Sequence, residues 1–348
     1  MGSLSIYHDA LLQNGGAEKV AVLWAKEFNS PLNVLAQEQK SRSRSGINSR
    51  VYISWIRSQK VLELTYPFLP IIFPFLKRYS EDVRLVSTTG LAHHFKGNWN
   101  KRILYIHSPA RWIWDAESFN IGRNKVQILL ANFLRPFFKI YDRKAIRKND
   151  VILVNSNYTK IKVLQAYKRN STVVFPPVDR ISSDTKKVSL PSHFEKFFLQ
   201  VGRVRGYKGH DFLIEVFRES QYKLILVGEG TEKIQEKSIL GLGFVSESEL
   251  AWLYQSAQAL LAVSKEDFGL TPVEAAIHGC PTIAFKQNGY LDSVREGISG
   301  EYVTPEDIFA LKQAIAHHDH SKYELAELQK FAREFSVKTH ISILEKLL

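Results

Sequence analysis

Residues 264–276 read Ser264-Lys265-Glu266-Asp267-Phe268-Gly269-Leu270-Thr271-Pro272-Val273-Glu274-Ala275-Ala276 and follow directly on the apolar run Ala259–Val263. An apolar strand, a charged turn holding one glycine, then a helix is the repeating unit of a parallel sheet with helices on both faces. Gly269 allows close approach of backbone to a ligand, and the first unpaired N–H groups of the new helix suit an anion. Glu266 and Glu274 flank that point, eight positions apart. One carboxylate can accept hydrogen bonds from sugar hydroxyls and the other from a ribose. Thr271-x-x-Glu274 with Pro272 between them also reads as a capping box with proline in the first turn. Glu266 has no such structural use.

Outward from this stretch the same unit recurs. Strands are expected near Leu4–Tyr7, Leu32–Ala36, Val83–Ser87, Arg102–Ile106, Val151–Asn155 and Thr172–Phe175. A second set is expected at Phe198–Gly202, Leu224–Val227, Ala259–Val263 and Pro281–Phe285. Between the sets, Pro176-Pro177-Val178-Asp179 and a polar stretch reaching Pro191 hold the chain extended, which places a domain boundary there. The expected architecture is α/β, with two Rossmann-like doubly wound parallel-sheet domains facing across a cleft. Residues 1–178 form the first domain and 179–335 the second, with the terminal stretch 336–348 a candidate to pack back on the first.

The 348 residues suit two domains, and 45% hydrophobic with 24% charged residues is ordinary globular composition. The single cysteine, Cys280, excludes a disulfide framework and a cysteine-based zinc site, and favours a reducing cytoplasm. Neither a secretory leader nor a run of apolar residues long enough to span a bilayer is read. The net charge of +12 is unevenly spread: residues 1–178 hold 27 Lys+Arg against 11 Asp+Glu, the remainder 20 against 24. That asymmetry points to a polyanionic partner for the first half, such as a membrane surface, a phosphorylated acceptor or nucleic acid.

Several other turns carry chemistry. Val201-Gly202-Arg203-Val204-Arg205-Gly206-Tyr207-Lys208-Gly209 leads from a strand into a helix near His210. Its cations Arg203 and Lys208 make a diphosphate clamp where negative charge develops on a leaving group. Leu224–Gly230 and Leu242-Gly243-Phe244-Val245 are further strand-end turns against which a nucleotide base could lie. In the first half, Gly15-Gly16 falls between the first strand and an amphipathic helix, aiming a helix N-terminus at phosphate. His107 ends a strand, at the carboxyl edge where open α/β sheets bind ligands. His317-His318-Asp319-His320 has metal-binding composition but reads as a solvated surface turn. Tyr66–Leu76, apolar and broken by prolines, ends in Lys77-Arg78. Ile128–Tyr141 is apolar and aromatic, with Arg135 and Lys139 inside it and Arg143, Lys144, Arg147 and Lys148 after it. Apolar surface edged with cations suits an anionic bilayer, and equally suits core helices with solvated flanks.

Taken together, Gly15-Gly16-Ala17-Glu18, the Gly202–Gly209 turn, Leu242–Leu250, and Glu266–Glu274 with Gly279-Cys280-Pro281 resemble the retaining glycosyltransferases of family 4, with the GT-B fold. Tyr105–Asp115 and Phe175-Pro176-Pro177-Val178-Asp179 resemble the mannosyltransferase-like branch. The resemblance implies that Arg203 and Lys208 meet the donor diphosphate. It also implies that Glu266 and the Phe268, Gly269 and Leu270 backbone hold the transferred sugar, and that Glu274 holds the ribose. By the same likeness Gly16 approaches the phosphates and His107 lies beside the sugar. One departure is Gln287-Asn288-Gly289-Tyr290-Leu291-Asp292, where the family usually shows a double glycine and a glutamate.

The resulting expectation is hexosyl transfer, mannose favoured, from a nucleoside-diphosphate sugar to the hydroxyl of a glycan or lipid-linked acceptor, with retention. A GDP-sugar is favoured over a UDP-sugar as donor, with no other cofactor. No Asp-x-Asp motif occurs, so no metal is expected and charge on the departing diphosphate falls to Arg203, Lys208 and helix N-termini. Front-face attack is what the likeness suggests; double displacement through a carboxylate is the alternative route. The protein is expected in the cytoplasm, peripheral on the membrane, without nucleic acid as partner. A sugar-nucleotide epimerase of the same fold and a nucleic-acid-binding protein are the rival readings.

Overall fold

The computed structural model describes residues 3–13, 15–38, 47–116, 125–179, 184–204 and 208–348. The chain divides into two compact units, Met1–Phe175 with Ile341–Leu348, and Pro176–His340.

The first unit is built on β1 (Leu4–Leu11), β2 (Leu32–Gln37), β3 (Ser49–Val51), β4 (Tyr79–Thr88), β5 (Gly97–Ile106), β6 (Val151–Val154) and β7 (Thr172–Val173). Among the described residues these form one parallel sheet in the order β3-β2-β1-β4-β5-β6-β7. β1 is buried along almost its whole length, as a strand covered on both faces requires. The Gly16–Glu27 helix returns over one face and buries Val20, Ala21, Trp24 and Ala25. Trp24 packs edge-on against Tyr105, ring centres 5.4 Å apart. The opposite face holds a core that includes Tyr7, Leu35, Val86, Leu104 and Val154.

The second unit contains β8 (Phe198–Val201), β9 (Leu224–Val227), β10 (Gln235–Glu236), β11 (Ile239–Gly243), β12 (Leu260–Ala262), β13 (Thr282–Phe285) and β14 (Gly300–Val303). Their order is β10-β11-β9-β8-β12-β13-β14, parallel except for the β10–β11 edge pair. Alternation along β9 splits the core cleanly: Leu224 and Leu226 join one cluster, Ile225 and Val227 the other. Cys280 lies in the second cluster, where burial pushes its thiol up to about 12.

Among the parallel strands of each sheet the order reverses once, between β1 and β4 and between β8 and β12. Ligands of doubly wound sheets bind outside the carboxyl ends of the strands at such reversal points. The two places to look are therefore the turns after β1, β4 and β5 and those after β8 and β12.

Candidate functional site

In the second unit the turn after β8 begins at Gly202, whose N–H donates to the Val227 carbonyl at 2.8 Å. A side chain on Gly228 would put Cβ 2.4 Å from the Gly202 carbonyl oxygen, so only glycine lets these two turns pack. Arg203 follows, half-buried; Arg205, Gly206 and Tyr207 lie outside the described residues. Lys208 and Gly209 complete the turn, and Gly209 (φ +74°) caps the His210–Phe217 helix. The Lys208 Nζ forms an ion pair with the Glu266 carboxylate, both side chains about one-fifth exposed.

Glu266 is held from behind. Its Oε1 accepts from Ser264 Oγ at 3.1 Å, and Ser264 Oγ lies 2.6 Å from the Tyr290 hydroxyl. Burial, with Glu266 nearby, pushes the Tyr290 phenol up, so it stays protonated. The Glu266 carbonyl accepts from Gly289 N–H at 3.0 Å. Asn288 adopts φ +53°, which asparagine tolerates, and a Cβ on Gly289 would fall 2.3 Å from Phe268 Cα. The Gln287–Asp292 segment thus packs tightly behind the Glu266–Gly269 turn despite its departure from a double glycine.

Gly269 (φ +85°) is the N-cap of the Leu270–Ile277 helix, and no side chain caps that terminus. The capping box expected from Thr271 and Glu274 is not formed. With the helix starting at Leu270, Glu274 sits in its second turn, where Oε2 accepts from the Tyr254 hydroxyl at 3.2 Å. Phe268 is buried against Phe335, leaving its backbone at the helix start. Phe244, after β11, is 77% exposed, a flat apolar surface for a base, and Val245 beside it is half-buried. Ser246 then opens the next helix with a capping box to Glu249.

In the first unit, Gly15 caps the Gly16–Glu27 helix with extended backbone and no side-chain cap. Glu18 organises the approach: its Oε1 accepts from Leu12 N at 3.0 Å and Gln13 N at 2.9 Å. Asp9 does the same for the turn after β4, accepting from Thr88 Oγ1, Thr89 N, Leu91 N and Ala92 N. Burial alone would raise Asp9, but His8 and these hydrogen bonds outweigh it and hold the carboxyl below its usual value. His107 follows β5, is 7% exposed, and donates its backbone N–H to the Thr88 carbonyl at 2.9 Å. Its Nε2 is 2.8 Å from Ser87 Oγ. The second unit thus joins Lys208 to Glu266 directly. Gly15, Gly16 and His107 gather at the strand ends of the first.

Among the described residues, one group has ligand atoms close enough to share a metal ion: His93, His94 and Asp142, with those atoms within 4.8 Å of one another. They bind one another instead. Asp142 Oδ1 lies 2.7 Å from His93 Nε2 and 3.0 Å from His94 Nε2, and Oδ2 accepts from Trp114 Nε1 at 2.6 Å. Burial would raise Asp142, yet the two imidazoles hold it far below the usual carboxylate range. His317–His320 is not wholly a solvated turn. The His318 ring is buried, with Nε2 2.9 Å from the Gln258 carbonyl and Nδ1 3.1 Å from Glu301, because it closes the loop onto the sheet edge.

The sequence did not single out His8, Ser87 or Tyr290 as supports of the site, or Gly228 as a close-packed turn. Only the strand register could find the first two, since His8 and Ser87 become neighbours through β1–β4 pairing. For Gly228 the sequence showed a strand-end turn, Gly228-Glu229-Gly230, but not its close packing on Gly202.

Fold and strand-end turns together define a two-unit α/β glycosyltransferase scaffold, the GT-B fold. Residues 182–335, within the second unit, match the family of glycosyl transferases group 1. Among curated relatives, the D-rhamnosyltransferase WbpZ of Pseudomonas aeruginosa is 24% identical over 300 residues, 75% of this chain and 78% of the relative. The alpha-1,3/1,6-mannosyltransferase of Kluyveromyces lactis is 27% identical over 257 residues, 58% of this chain and 49% of the relative. The matched stretch therefore spans from about half to 78% of these relatives' length. Among solved structures, Anabaena HepE in complex with UDP and glucose superposes with TM-score 0.69 at 18% identity, covering 99% of both chains.

Proposed function

We propose that this chain transfers a hexosyl group, mannose favoured, from a nucleoside-diphosphate sugar to an acceptor hydroxyl with retained configuration. The observation that carries the reading is the Lys208–Glu266 pair. It lies at the β8/β12 reversal point, where two helix N-termini, at His210 and Leu270, also begin. Donor specificity is the less constrained part. The resemblance of Tyr105–Asp115 and Phe175–Asp179 to the mannosyltransferase-like branch favours a GDP-sugar, and the HepE structure, solved with UDP and glucose, keeps a UDP-sugar open.

On this reading Arg203 and Lys208 neutralise the departing diphosphate without a metal, each charge-assisted bond contributing roughly 1.5–3 kcal/mol. Glu266 and the Phe268–Leu270 backbone hold the sugar, and Glu274 the ribose. Gly15 and Gly16 serve the phosphates, with His107 beside the sugar. The bond from the anomeric carbon to phosphate oxygen breaks as the acceptor oxygen bonds the same face. The acceptor proton passes to the oxygen of the leaving phosphate.

The acceptor reading is a lipid-linked saccharide of cell-surface polysaccharide or glycolipid synthesis, met at the cytoplasmic face of an anionic membrane. Among the described residues no helix is long and apolar enough to cross a bilayer. The Lys125–Ala145 helix nevertheless exposes Leu129, Phe133, Phe137 and Ile140, spaced along one face, with Phe133 80% exposed. Phe68, Ile71 and Phe75 project from the proline-started turns of 66–75. These apolar groups on a strongly basic unit support peripheral attachment.

Thermal unfolding with GDP, UDP and ADP, beside transfer assays with the matching sugars, tests the proposal. A nucleotide at 100 times its dissociation constant should stabilise by about 2.7 kcal/mol. No stabilisation by any of the three refutes the donor site; turnover of donor without acceptor, giving an isomeric nucleotide sugar, makes the protein an epimerase.

A further inference from the structure

We infer that His8 and Ser87 form a hydrogen-bond relay that fixes His107 as its Nδ1–H tautomer, with Nε2 engaged by Ser87 and so withheld from the role of a base. The inference rests on the proposed place of His107 beside the transferred sugar.

His8 and Ser87 are direct register partners on β1 and β4, and His107 follows the adjacent β5. Ser87 is fully buried, and His8 and His107 are nearly so. His8 Nδ1 lies 3.1 Å from the Ser87 carbonyl oxygen and 3.0 Å from Ser87 Oγ. A carbonyl oxygen only accepts, so His8 Nδ1 carries the hydrogen; a bare nitrogen there would oppose two sets of lone pairs. Ser87 Oγ shares that donor as an acceptor, which leaves its own hydrogen for His107 Nε2, 2.8 Å away. Nε2 of His107 then accepts, and the proton of the neutral ring resides on Nδ1. The opposite arrangement would aim two imidazole N–H groups at one hydroxyl and leave the Ser87 hydrogen without either ring as acceptor.

One consequence follows for the transfer step: the ring nitrogen that could take a proton is already occupied by Ser87, so His107 does not serve as a base there. His8 and Ser87 are positioning residues, since they act only through His107.

The test is nuclear magnetic resonance of ring nitrogens in the full chain with isotope-labelled histidine, with His107→Gln assigning the signals. A pyrrole-type Nδ1 and pyridine-type Nε2 for His107, together with a pyrrole-type Nδ1 for His8, is the expected pattern. Ser87→Ala should blur the His107 pattern into a tautomer mixture and lower kcat about tenfold with KM for the donor little changed, while Ser87→Cys, a weaker donor, should fall between. A protonated Nε2 in the wild type, or a His107 pattern indifferent to Ser87→Ala, overturns the relay. The expected ring pattern with undiminished hexosyl transfer by His107→Gln would instead leave the relay standing and remove His107 from the reaction.

Discussion

Lys208 and Glu266, 58 residues apart in the chain, are joined as an ion pair where the turns after β8 and β12 meet. On the proposed reading, the cation that binds diphosphate and the carboxylate that binds sugar are paired with one another before the donor arrives. Phosphate arriving at Lys208 competes with Glu266 for the same ammonium. Glu266→Gln should therefore bind the free nucleoside diphosphate at least as tightly as wild type, while slowing sugar transfer about a hundredfold. Lys208→Ala should lose both nucleotide binding and transfer. Calorimetry with GDP and UDP, set beside initial rates, separates the two. Weaker nucleotide binding by Glu266→Gln would contradict the competition.

Gly269 is the backbone pivot of the same site, and its substitution has a built-in control. In Gly269→Ala the new Cβ would sit 2.6 Å from the Tyr290 ring at φ +85°, adding a clash to left-handed strain. Gly297 has φ +75° but nothing within 4 Å, so Gly297→Ala incurs the strain alone. Positive-φ strain costs about 1–3 kcal/mol and overpacking a comparable amount. Calorimetric melting should show Gly269→Ala several degrees below Gly297→Ala. The Tyr290–Ser264 support of Glu266 should also be displaced, so transfer falls only in the first variant. Equal melting temperatures would remove the close contact.

The fold was legible where strands are apolar and central: β1, β4, β5, β8, β9, β12 and β13 all lie on the runs that hydrophobic pattern picks out. At the sheet edges only β7 was read, on the expected run Thr172–Phe175; β3, β10 and β14 were not. Ser49–Val51 and Gln235–Glu236 are two or three residues long and largely polar, and Gly300–Val303 opens with glycine and glutamate; pairing, not propensity, makes them strands. At the candidate site, glycine-rich turns in the sequence marked the segments that the structure places after β8 and β12. Which side chains meet depended on strand order, because only the β8/β12 reversal brings Lys208 to Glu266. Thr271 and Glu274 show the converse, a local pattern that fits a cap but is overruled because the helix is capped at Gly269, two residues earlier than the box requires.

The proposed membrane attachment can be tested on one helix. Phe133 and Phe137 are one helical turn apart and project from a helix that also carries Arg135, Lys139, Arg143 and Lys144. Each buried aromatic is worth roughly 1.5–3 kcal/mol of partitioning. Phe133→Ser with Phe137→Ser should cut co-sedimentation with anionic phospholipid vesicles at least tenfold. Transfer to a short water-soluble acceptor should remain. Raised salt should weaken wild-type binding through the basic residues. Binding that ignores both changes would make the aromatic face an ordinary exposed surface.

Stability should fall in mild acid because of His94. Burial, reinforced by the neighbouring His93, pushes its imidazole down to about 4, against the opposing pull of Asp142. Between about pH 6.5 and 4 the unfolded chain binds a proton at this position that the native chain does not. Unfolding free energy therefore decreases as pH drops through that window. The upper bound from His94 alone is on the order of 3 kcal/mol. Asp142, held low by its two histidines, adds a further loss only below the usual carboxylate range near pH 4, because there the unfolded carboxyl gains its proton first. Two slopes should thus be resolved in urea titrations of the full chain between pH 7 and 3. His94→Gln, which keeps a donor for Asp142 but does not titrate, should flatten the upper one and leave the lower. An upper slope unchanged by His94→Gln would assign the acid sensitivity elsewhere.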